Sequence, residues 1–294
     1  MKQYLLVFLF ILGGVQVQAQ NKLSPKATIS VITCGSGDEL FTAFGHSAFR
    51  LQDPVLKVDR VYNYGTFDFN APNFYLNFAK GKLIYQLSVS NYRDFIRAYQ
   101  YEKRWVESQL LDLNYSEVQM LFEFLENNAK PVNRAYKYDF FFDNCSTKIE
   151  EVLQAVLKKK VAFPNDHIAS HKTHRDLIAD YTTDFKWGKF GIDLALGSVI
   201  DREATQKEYK FLPDYIALGL EHATIVDGEQ SKPLVQENKI ILEENKTGET
   251  HLLSPFNLFL LIGLLLMRVT YKNFKNKVRT RWVDFILYLT TGLI

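Results

Sequence analysis

Apolar residues concentrate at the two ends of the chain. At the start, Lys2 precedes an apolar run over residues 4–15, and the small residue Ala19 comes next. This order is typical of a secretory signal peptide, because the run is shorter than the roughly 20 residues that an uncleaved membrane anchor needs. We therefore predict a signal peptide over residues 1–20, cleavage near Ala19 or Gln20, and export of the chain from residue 21 onward.

A second apolar segment begins at residue 252 and predicts a transmembrane helix at the start of a membrane region, residues 252–294. Basic residues follow it, as is typical of a cytoplasmic loop, so the helix runs from outside to inside. They are Arg268, Lys272, Lys275, Lys277, Arg279 and Arg281. The last apolar stretch, residues 282–294, is too short to span about 30 Å of hydrocarbon. Either it lies in the membrane interface or the chain continues, and we favour the second interpretation.

Between these ends, alternating and helical patterns predict an α+β domain over residues 21–226. The predicted strands are residues 29–33, 46–51, 61–69, 82–89 and 105–113. Residues 116–119 resemble a capping box that starts a helix at Ser116, and another helix is predicted directly after Asn144. Helices and loops are predicted after Pro164. The polar residues 227–251 predict a connector to the membrane region.

The composition narrows the function without identifying it. The chain has 294 residues, a formal net charge of +2 and two cysteines. So small a charge excludes broad nucleic-acid binding through phosphate neutralisation, and no nucleic acid is expected as a partner. Two cysteines are too few for a disulfide-stapled small fold or a four-cysteine zinc site.

Candidate chemistry concentrates in two segments. Residues 44–50 place His46 behind a glycine at the start of a strand, and residues 138–147 place Cys145 where an aromatic strand becomes a helix. The partial positive charge of a helix N-terminus lowers the pKa of a thiol, as does a neighbouring imidazolium. The unpaired first-turn amides of Asn144 and Cys145 also suit an oxyanion. The pattern favours Cys145 as a nucleophile, although His46 alone could equally be a hydrogen-bonded core histidine.

Other roles fit some of these residues. In an exported protein, Cys145 and Cys34 are able to form a disulfide, and Cys145 could also be a small buried side chain. Three histidines have a spacing that suits a metal ion, but their polar, loop-like surroundings favour a surface cluster, and no metal is predicted. They are His167, His171 and His174.

Five segments carry a family resemblance. They are residues 34–40 (CGSGDEL), 44–50 (FGHSAFR), 62–69 (YNYGTFDF), 138–147 (YDFFFDNCST) and 190–197 (FGIDLALG). Together they resemble the periplasmic domain of the Lnb-type bacterial lipoprotein N-acyltransferases, in which several membrane helices follow that domain. The resemblance implies a papain-like fold permuted so that histidine precedes cysteine, as in the lecithin retinol acyltransferase group. It also implies Cys145 as nucleophile and His46 as base.

A third residue usually orients the histidine of such a pair. The resemblance points to the strand after the histidine, where Asn63 and Tyr64 face opposite sides. We prefer Asn63, because an amide fixes the imidazole tautomer without adding charge; Tyr64 is the alternative, or it simply packs. Arg50, on the face of His46, is a candidate to meet an anionic lipid headgroup, although such an arginine more often pairs with a carboxylate.

The expected activity is acyl transfer from a membrane phospholipid to the α-amine of a diacylated apolipoprotein, through a thioester on Cys145. No cofactor is expected, because the thioester conserves the energy of the ester. The catalytic domain is expected in the periplasm, held at the bacterial inner membrane. One alternative is a cysteine peptidase or amidase acting on the cell wall. Another is a membrane-anchored binding domain with a Cys34–Cys145 disulfide.

Overall fold

A seven-stranded antiparallel sheet forms the centre of the described chain. The computed structural model describes residues 22–67, 72, 84–168, 171–227, 230–243 and 254–292, so the predicted signal peptide lies outside the described residues. The strands of this sheet are β1 (Thr28–Cys34), β2 (His46–Asp53), β3 (Val58–Thr66), β4 (Ile84–Asn91), β5 (Val106–Leu111), β6 (Ala135–Lys137) and β10 (Val235–Leu242). Their order across the sheet is β10-β5-β1-β2-β3-β4-β6. A smaller antiparallel sheet joins β7 (Val161–Ala162), β8 (Thr224–Asp227) and β9 (Gln230–Pro233).

Helices cover both faces of the central sheet. They are α1 (Tyr92–Tyr101), α2 (Tyr115–Ala129), α3 (Thr147–Leu157), α4 (His174–Tyr181), α5 (Lys186–Leu196), α6 (Pro213–His222), α7 (Pro255–Asn276) and α8 (Arg281–Gly292). The larger core lies between one sheet face and α2, α3 and α6, whereas α1 packs on the other face. The predicted α+β class is confirmed.

The central position of β1 explains its sequence. Ile29 and Val31 enter the larger core, while Ile32 and Cys34 enter the core beneath α1. Because successive side chains of a strand point to opposite faces, a strand covered on both sides needs apolar residues at nearly every position. The five predicted strands correspond to β1 to β5, with residues 68–69 and 82–83 lying outside the described chain.

The start of α2 differs from the prediction. The N-cap is Asn114, whose side chain accepts from the N–H of Glu117 at 3.0 Å, and Glu117 accepts in return from the N–H of Asn114 at 3.0 Å. The predicted box began at Ser116, but Gln119 is engaged elsewhere, because its Oε1 accepts from the N–H of Leu23 at 2.9 Å. Asparagine is as good an N-cap as serine, so the earlier pair starts the helix.

The predicted connector is wrong over its described residues. Residues 230–233 form β9, and residues 235–242 form β10, which pairs with β5 at one edge of the central sheet. Most side chains of β10 are exposed, among them the polar residues 236–239. An edge strand buries little and carries polar side chains that discourage further pairing, so its composition resembles that of a linker.

Among the helices that the structure describes, α7 alone is long and apolar enough to cross a membrane. Its 22 residues span about 33 Å at a rise of about 1.5 Å each. Its apolar side chains are largely exposed, which fits contact with lipid. Helix α8 has 12 described residues, too few to span a bilayer.

Candidate active site

The side chain of Asn144 holds the turn before α3. Its Nδ2 donates to the backbone carbonyls of Phe140 at 2.8 Å and Phe211 at 2.7 Å. Its Oδ1 accepts from the N–H groups of Ser146 at 2.8 Å and Thr147 at 2.9 Å. Because this side chain is buried, these four bonds replace those that water would supply. Asn144 therefore fixes the backbone at the start of α3.

The segment before this turn is a loop, so the prediction of an aromatic strand running into the helix is wrong. Asp139 and Asp143 form an isolated antiparallel bridge. The Oδ1 of Asp139 accepts from the N–H groups of Phe141 at 2.9 Å and Phe142 at 3.0 Å. An aspartate that binds backbone amides two and three residues on favours a turn over a strand.

The two backbone N–H groups predicted to bind an oxyanion, those of Asn144 and Cys145, are not equally available in the structure. The N–H of Asn144 donates to Thr147 Oγ1 at 2.8 Å, so it is occupied and the prediction that Asn144 binds substrate through it is wrong. The N–H of Cys145 makes no hydrogen bond within the described residues. It lies beside Gly65, where an added Cβ would be 3.8 Å from this nitrogen. One amide donor next to the thiol is therefore open to a substrate oxygen.

The structure brings Cys145 and His46 together. Cys145 is partly buried beside His46 and Ser47, both of which act on its pKa, and the Ser146 hydroxyl lies 3.9 Å from its Sγ. Burial alone would raise the pKa of this thiol. The positive charge of His46, followed by the hydrogen bonds from His46, Ser47 and Ser146, outweighs burial and lowers the pKa of Cys145 below its ordinary value.

Asn63 contacts the ring of His46. His46 Nε2 is 3.3 Å from Asn63 Oδ1, while Asn63 Nδ2 points to the carbonyl of Val61 at 3.4 Å and the hydroxyl of Ser90 at 3.3 Å. An amide oxygen only accepts, so Nε2 carries the proton. The other ring nitrogen, Nδ1, is then left for the Cys145 thiol. Cys145 and Asn63 therefore both interact with His46, and we call these three residues the catalytic line.

Arg50 and Tyr64 lie elsewhere, so the predictions that place them at the site are wrong. Arg50 donates twice to the Asp59 carboxylate, at 2.8 Å each, and its guanidinium lies 3.4 Å above the ring of Tyr92. Four residues along a strand separate it from the histidine by about 13 Å. Tyr64 packs in the larger core and accepts from Asn128 Nδ2 at 2.8 Å. Burial raises the pKa of Tyr64 to about 12.

Cys34 differs from Cys145 in every property that matters for reactivity. Both are free thiols, which contradicts the disulfide alternative. Cys34 is fully buried in the core beneath α1. Burial raises its pKa to about 12, although Arg104 and Tyr99 act in the opposite direction. A protonated, inaccessible thiol does not attack a substrate.

The three histidines of the second half are dispersed. His167 stacks on His222 with ring centroids 4.3 Å apart, His171 pairs with Glu203, and His174 is buried against aromatic rings. Among the described residues, no group of three or more His, Cys, Asp or Glu side chains is arranged to hold a metal ion.

Two residues that shape the site, Ser47 and Gly65, did not stand out in the sequence, whereas Gly45 was noted as the residue before His46. The N–H of Ser47 helps to lower the pKa of the thiol, and Gly45 and Gly65 adopt positive φ angles of 77° and 85°. A Cβ at Gly45 would lie 2.6 Å from the carbonyl oxygen of Cys34, and one at Gly65 would lie 3.5 Å from the Cβ of Cys145. At Gly45 both the positive φ and the close carbonyl oxygen require glycine, whereas at Gly65 only the positive φ favours it. The sequence signals for these positions were a glycine directly before β2 and a glycine near the end of β3.

Comparison with known proteins gives one match. A family model described as the Lnb N-terminal periplasmic domain matches residues 16–179, which include β1 to β6 and α1 to α3. No curated protein and no solved structure matches the chain. The matched residues make up more than half of the 294-residue chain and contain His46, Asn63 and Cys145. The chain therefore belongs to the family defined by the Lnb N-terminal periplasmic domain.

Proposed function

We propose that this protein is a lipoprotein N-acyltransferase with a permuted papain-like catalytic domain. The observation that carries the proposal is the line of Cys145, His46 and Asn63, in which the thiol has a lowered pKa and the imidazole is oriented by an amide. Nucleophile, base and orienting group are the three parts that thiol acyl transfer needs. Membership of the Lnb family supports the choice of substrate class.

The first half-reaction forms a thioester. The Cys145 thiolate attacks the carbonyl carbon of a phospholipid ester, and the carbonyl oxygen takes the electron pair beside the open N–H of Cys145. The bond to the glycerol oxygen then breaks. The imidazolium of His46 gives its proton to that oxygen, so lysophospholipid leaves and the acyl group remains on sulfur.

The second half-reaction forms the amide. The α-amine of a diacylglyceryl-cysteine attacks the thioester carbonyl, and His46 takes a proton from the amine nitrogen. The carbon–sulfur bond breaks, which releases the N-acylated lipoprotein and restores the thiolate. The thioester retains the energy of the original ester, so the reaction as proposed uses no cofactor.

A row of aromatic rings favours a lipid donor over a cell-wall peptide. Tyr138 and Cys145 both line Gly65, and the ring of Tyr138 stacks on Tyr85 with centroids 4.1 Å apart. Phe67 follows at 5.1 Å from Tyr85, and Phe41 at 6.5 Å from Phe67. Phe41 is 66% exposed, so the row runs from the thiol to the surface. An acyl chain gains from apolar contact along such a row, whereas a polar wall peptide does not.

The proposed location rests on the family and on α7. The matched domain is described as periplasmic, and α7 fits a membrane anchor. Basic residues lie in the C-terminal part of α7 and directly after it, which favours passage from periplasm to cytoplasm through the inner membrane. The predicted signal peptide agrees with this topology. Both proposed substrates are held in the same bilayer.

The lipoproteins of a strain without this protein test the activity. We expect each lipoprotein to lack one acyl chain, with wild type and Cys34→Ala restoring it and Cys145→Ala not restoring it. Mass spectrometry of lipoprotein N-terminal peptides measures the change. Unchanged lipoproteins together with altered wall peptides, in a strain with no second enzyme, would support the hydrolase instead.

The covalent intermediate gives a second test. Intact-protein mass after incubation with phospholipid should show one added acyl group on wild type and Cys34→Ala, and none on Cys145→Ala. Neutral hydroxylamine cleaves thioesters and should remove it. An adduct that survives hydroxylamine, or that maps to Cys34, would refute Cys145 as the nucleophile.

A further inference from the structure

Helix α5 carries an apolar face that the protein leaves open. None of its residues is buried, although Trp187, Phe190 and Leu194 fall on one side at helical spacing. Leu194 is 52% exposed, and Val199 in the following turn is 77% exposed. Leu40 packs against Gly188 of α5, and Phe41 follows it. We call Trp187, Phe190, Leu194 and Val199, together with Leu40 and Phe41, the α5 surface. Large apolar patches on a protein surface mark sites of interaction.

The α5 surface adjoins the outer end of the membrane-spanning helix. The ring of Phe259 in α7 lies 6.4 Å from that of Trp187 and 5.4 Å from that of Phe190. Phe259 is four residues after Pro255, where α7 begins, which places it about 6 Å along the helix axis. The basic residues that mark the cytoplasmic side begin at Arg268 in the second half of α7 and continue beyond its C-terminal end. The α5 surface therefore lies at the level where headgroups meet acyl chains.

The other side of α5 is charged. Lys189 pairs with Asp193 one turn later, and Arg175 reaches Asp193 from α4 at 2.7 Å. A helix with one apolar and one charged side, beside the outer end of a membrane span, matches helices that lie in the plane of the interface. Aromatic residues are enriched at this level of the bilayer.

We infer that the α5 surface is embedded in the outer leaflet of the membrane that α7 crosses. Its occupant is lipid, because the surface continues directly onto a helix whose own apolar side chains are exposed for contact with lipid. This embedding is independent of acyl transfer and holds whether or not Cys145 is acylated. It also gives the aromatic row a membrane end, because Phe41 belongs to both.

Tryptophan fluorescence tests the depth of the surface in the full-length chain. The chain has three tryptophans, so Trp105→Phe combined with Trp282→Phe leaves Trp187 as the only reporter in proteoliposomes. With its apolar face about 5–10 Å into the headgroup and acyl boundary, Trp187 should be quenched several-fold more by brominated phosphatidylcholine than by aqueous acrylamide. The control adds Trp187→Phe and Tyr101→Trp, since Tyr101 is 90% exposed on α1. This control should show the reverse order.

A spin label gives an answer that does not depend on replacing tryptophans. In a Cys145→Ala background the remaining cysteine, Cys34, is buried, so Leu194→Cys and the control Val132→Cys can be labelled selectively. At Leu194, collisions with oxygen should exceed those with a water-soluble nickel chelate, and at Val132 the chelate should dominate. Two results would overturn the inference: the same water exposure at both positions, or a Leu194 label shielded from both reagents, which would indicate a protein partner.

Discussion

Two neighbouring residues of β3, Asn63 and Tyr64, provide a sharp test of the proposed catalytic line. The side chain of Asn63 contacts His46, whereas that of Tyr64 lies in the core on the other face and binds Asn128. We expect Asn63→Ala to slow acylation of Cys145 and to leave stability nearly unchanged. We expect Tyr64→Phe to lower stability and to leave the rate of acylation nearly unchanged. Both substitutions lie on β3, but they alter opposite faces of the sheet.

The size of each effect is set by the bonds that are lost. While His46 carries a positive charge opposite the thiolate, the bond to Asn63 is charge-assisted and contributes roughly 1.5–3 kcal/mol. Because Asn63 is only partly buried, water replaces some of this contribution, so we expect a rate about 10- to 40-fold lower. Tyr64→Phe leaves the amide of Asn128 without a partner, which costs about 1 kcal/mol of unfolding free energy.

The assay is the initial rate of thioester formation from a labelled phospholipid, measured against pH with the purified full-length chain. Without the Asn63 oxygen, the charged ring of His46 loses a hydrogen-bond acceptor and stabilises the Cys145 thiolate less well. The thiolate should then form only at higher pH, and the pH profile of the rate should shift to higher pH. Asn63→Asp keeps an acceptor and should restore most of the rate. An unshifted profile in Asn63→Ala, or equal rate losses in Asn63→Ala and Tyr64→Phe, would refute the orienting role.

Two further predictions concern the thiols and the turn before α3. Iodoacetamide should alkylate Cys145 and spare Cys34. The rate of alkylation should fall as the pH drops through the lowered pKa of Cys145. His46→Ala removes the positive charge beside the thiol, so the midpoint of this pH dependence should move to higher pH. Peptide mapping checks the site, and labelling of Cys34 in the folded protein would contradict its burial. Asn144→Ala loses the four hydrogen bonds of a buried side chain and should lower the unfolding free energy by about 4 kcal/mol, against about 1 kcal/mol for Asn114→Ala, which removes one N-cap. Denaturant unfolding measures both, and equal losses would show that Asn144 does not anchor the turn.

Local signals predicted the parts of the fold that depend on neighbours in sequence. A β-branched run located β1, alternation located β2, and the glycine before His46 located the start of β2. The partners of most polar side chains were not predictable from periodicity, because they depend on distances that only the folded chain sets. The contact of Asn63 with His46 was predicted, but through the family resemblance. Asn144 binds the carbonyl of Phe211, 67 residues later, and Arg50 is placed between Asp59 and a ring on α1. Periodicity carries no information on such pairings.

The start of α3 depends on a segment that follows the matched family domain. The match ends at residue 179, yet Phe211 accepts from Asn144 at 2.7 Å and Lys210 forms a buried 2.8 Å ion pair with Glu150. Loss of either partner from a buried ion pair costs about 3–5 kcal/mol, because the other charge stays in the core. The candidate catalytic residues all lie inside the matched region, whereas two of the contacts at the start of α3 come from residues 210 and 211, outside it. A chain that ended at residue 179 would keep Cys145 but lose these two contacts at the start of α3.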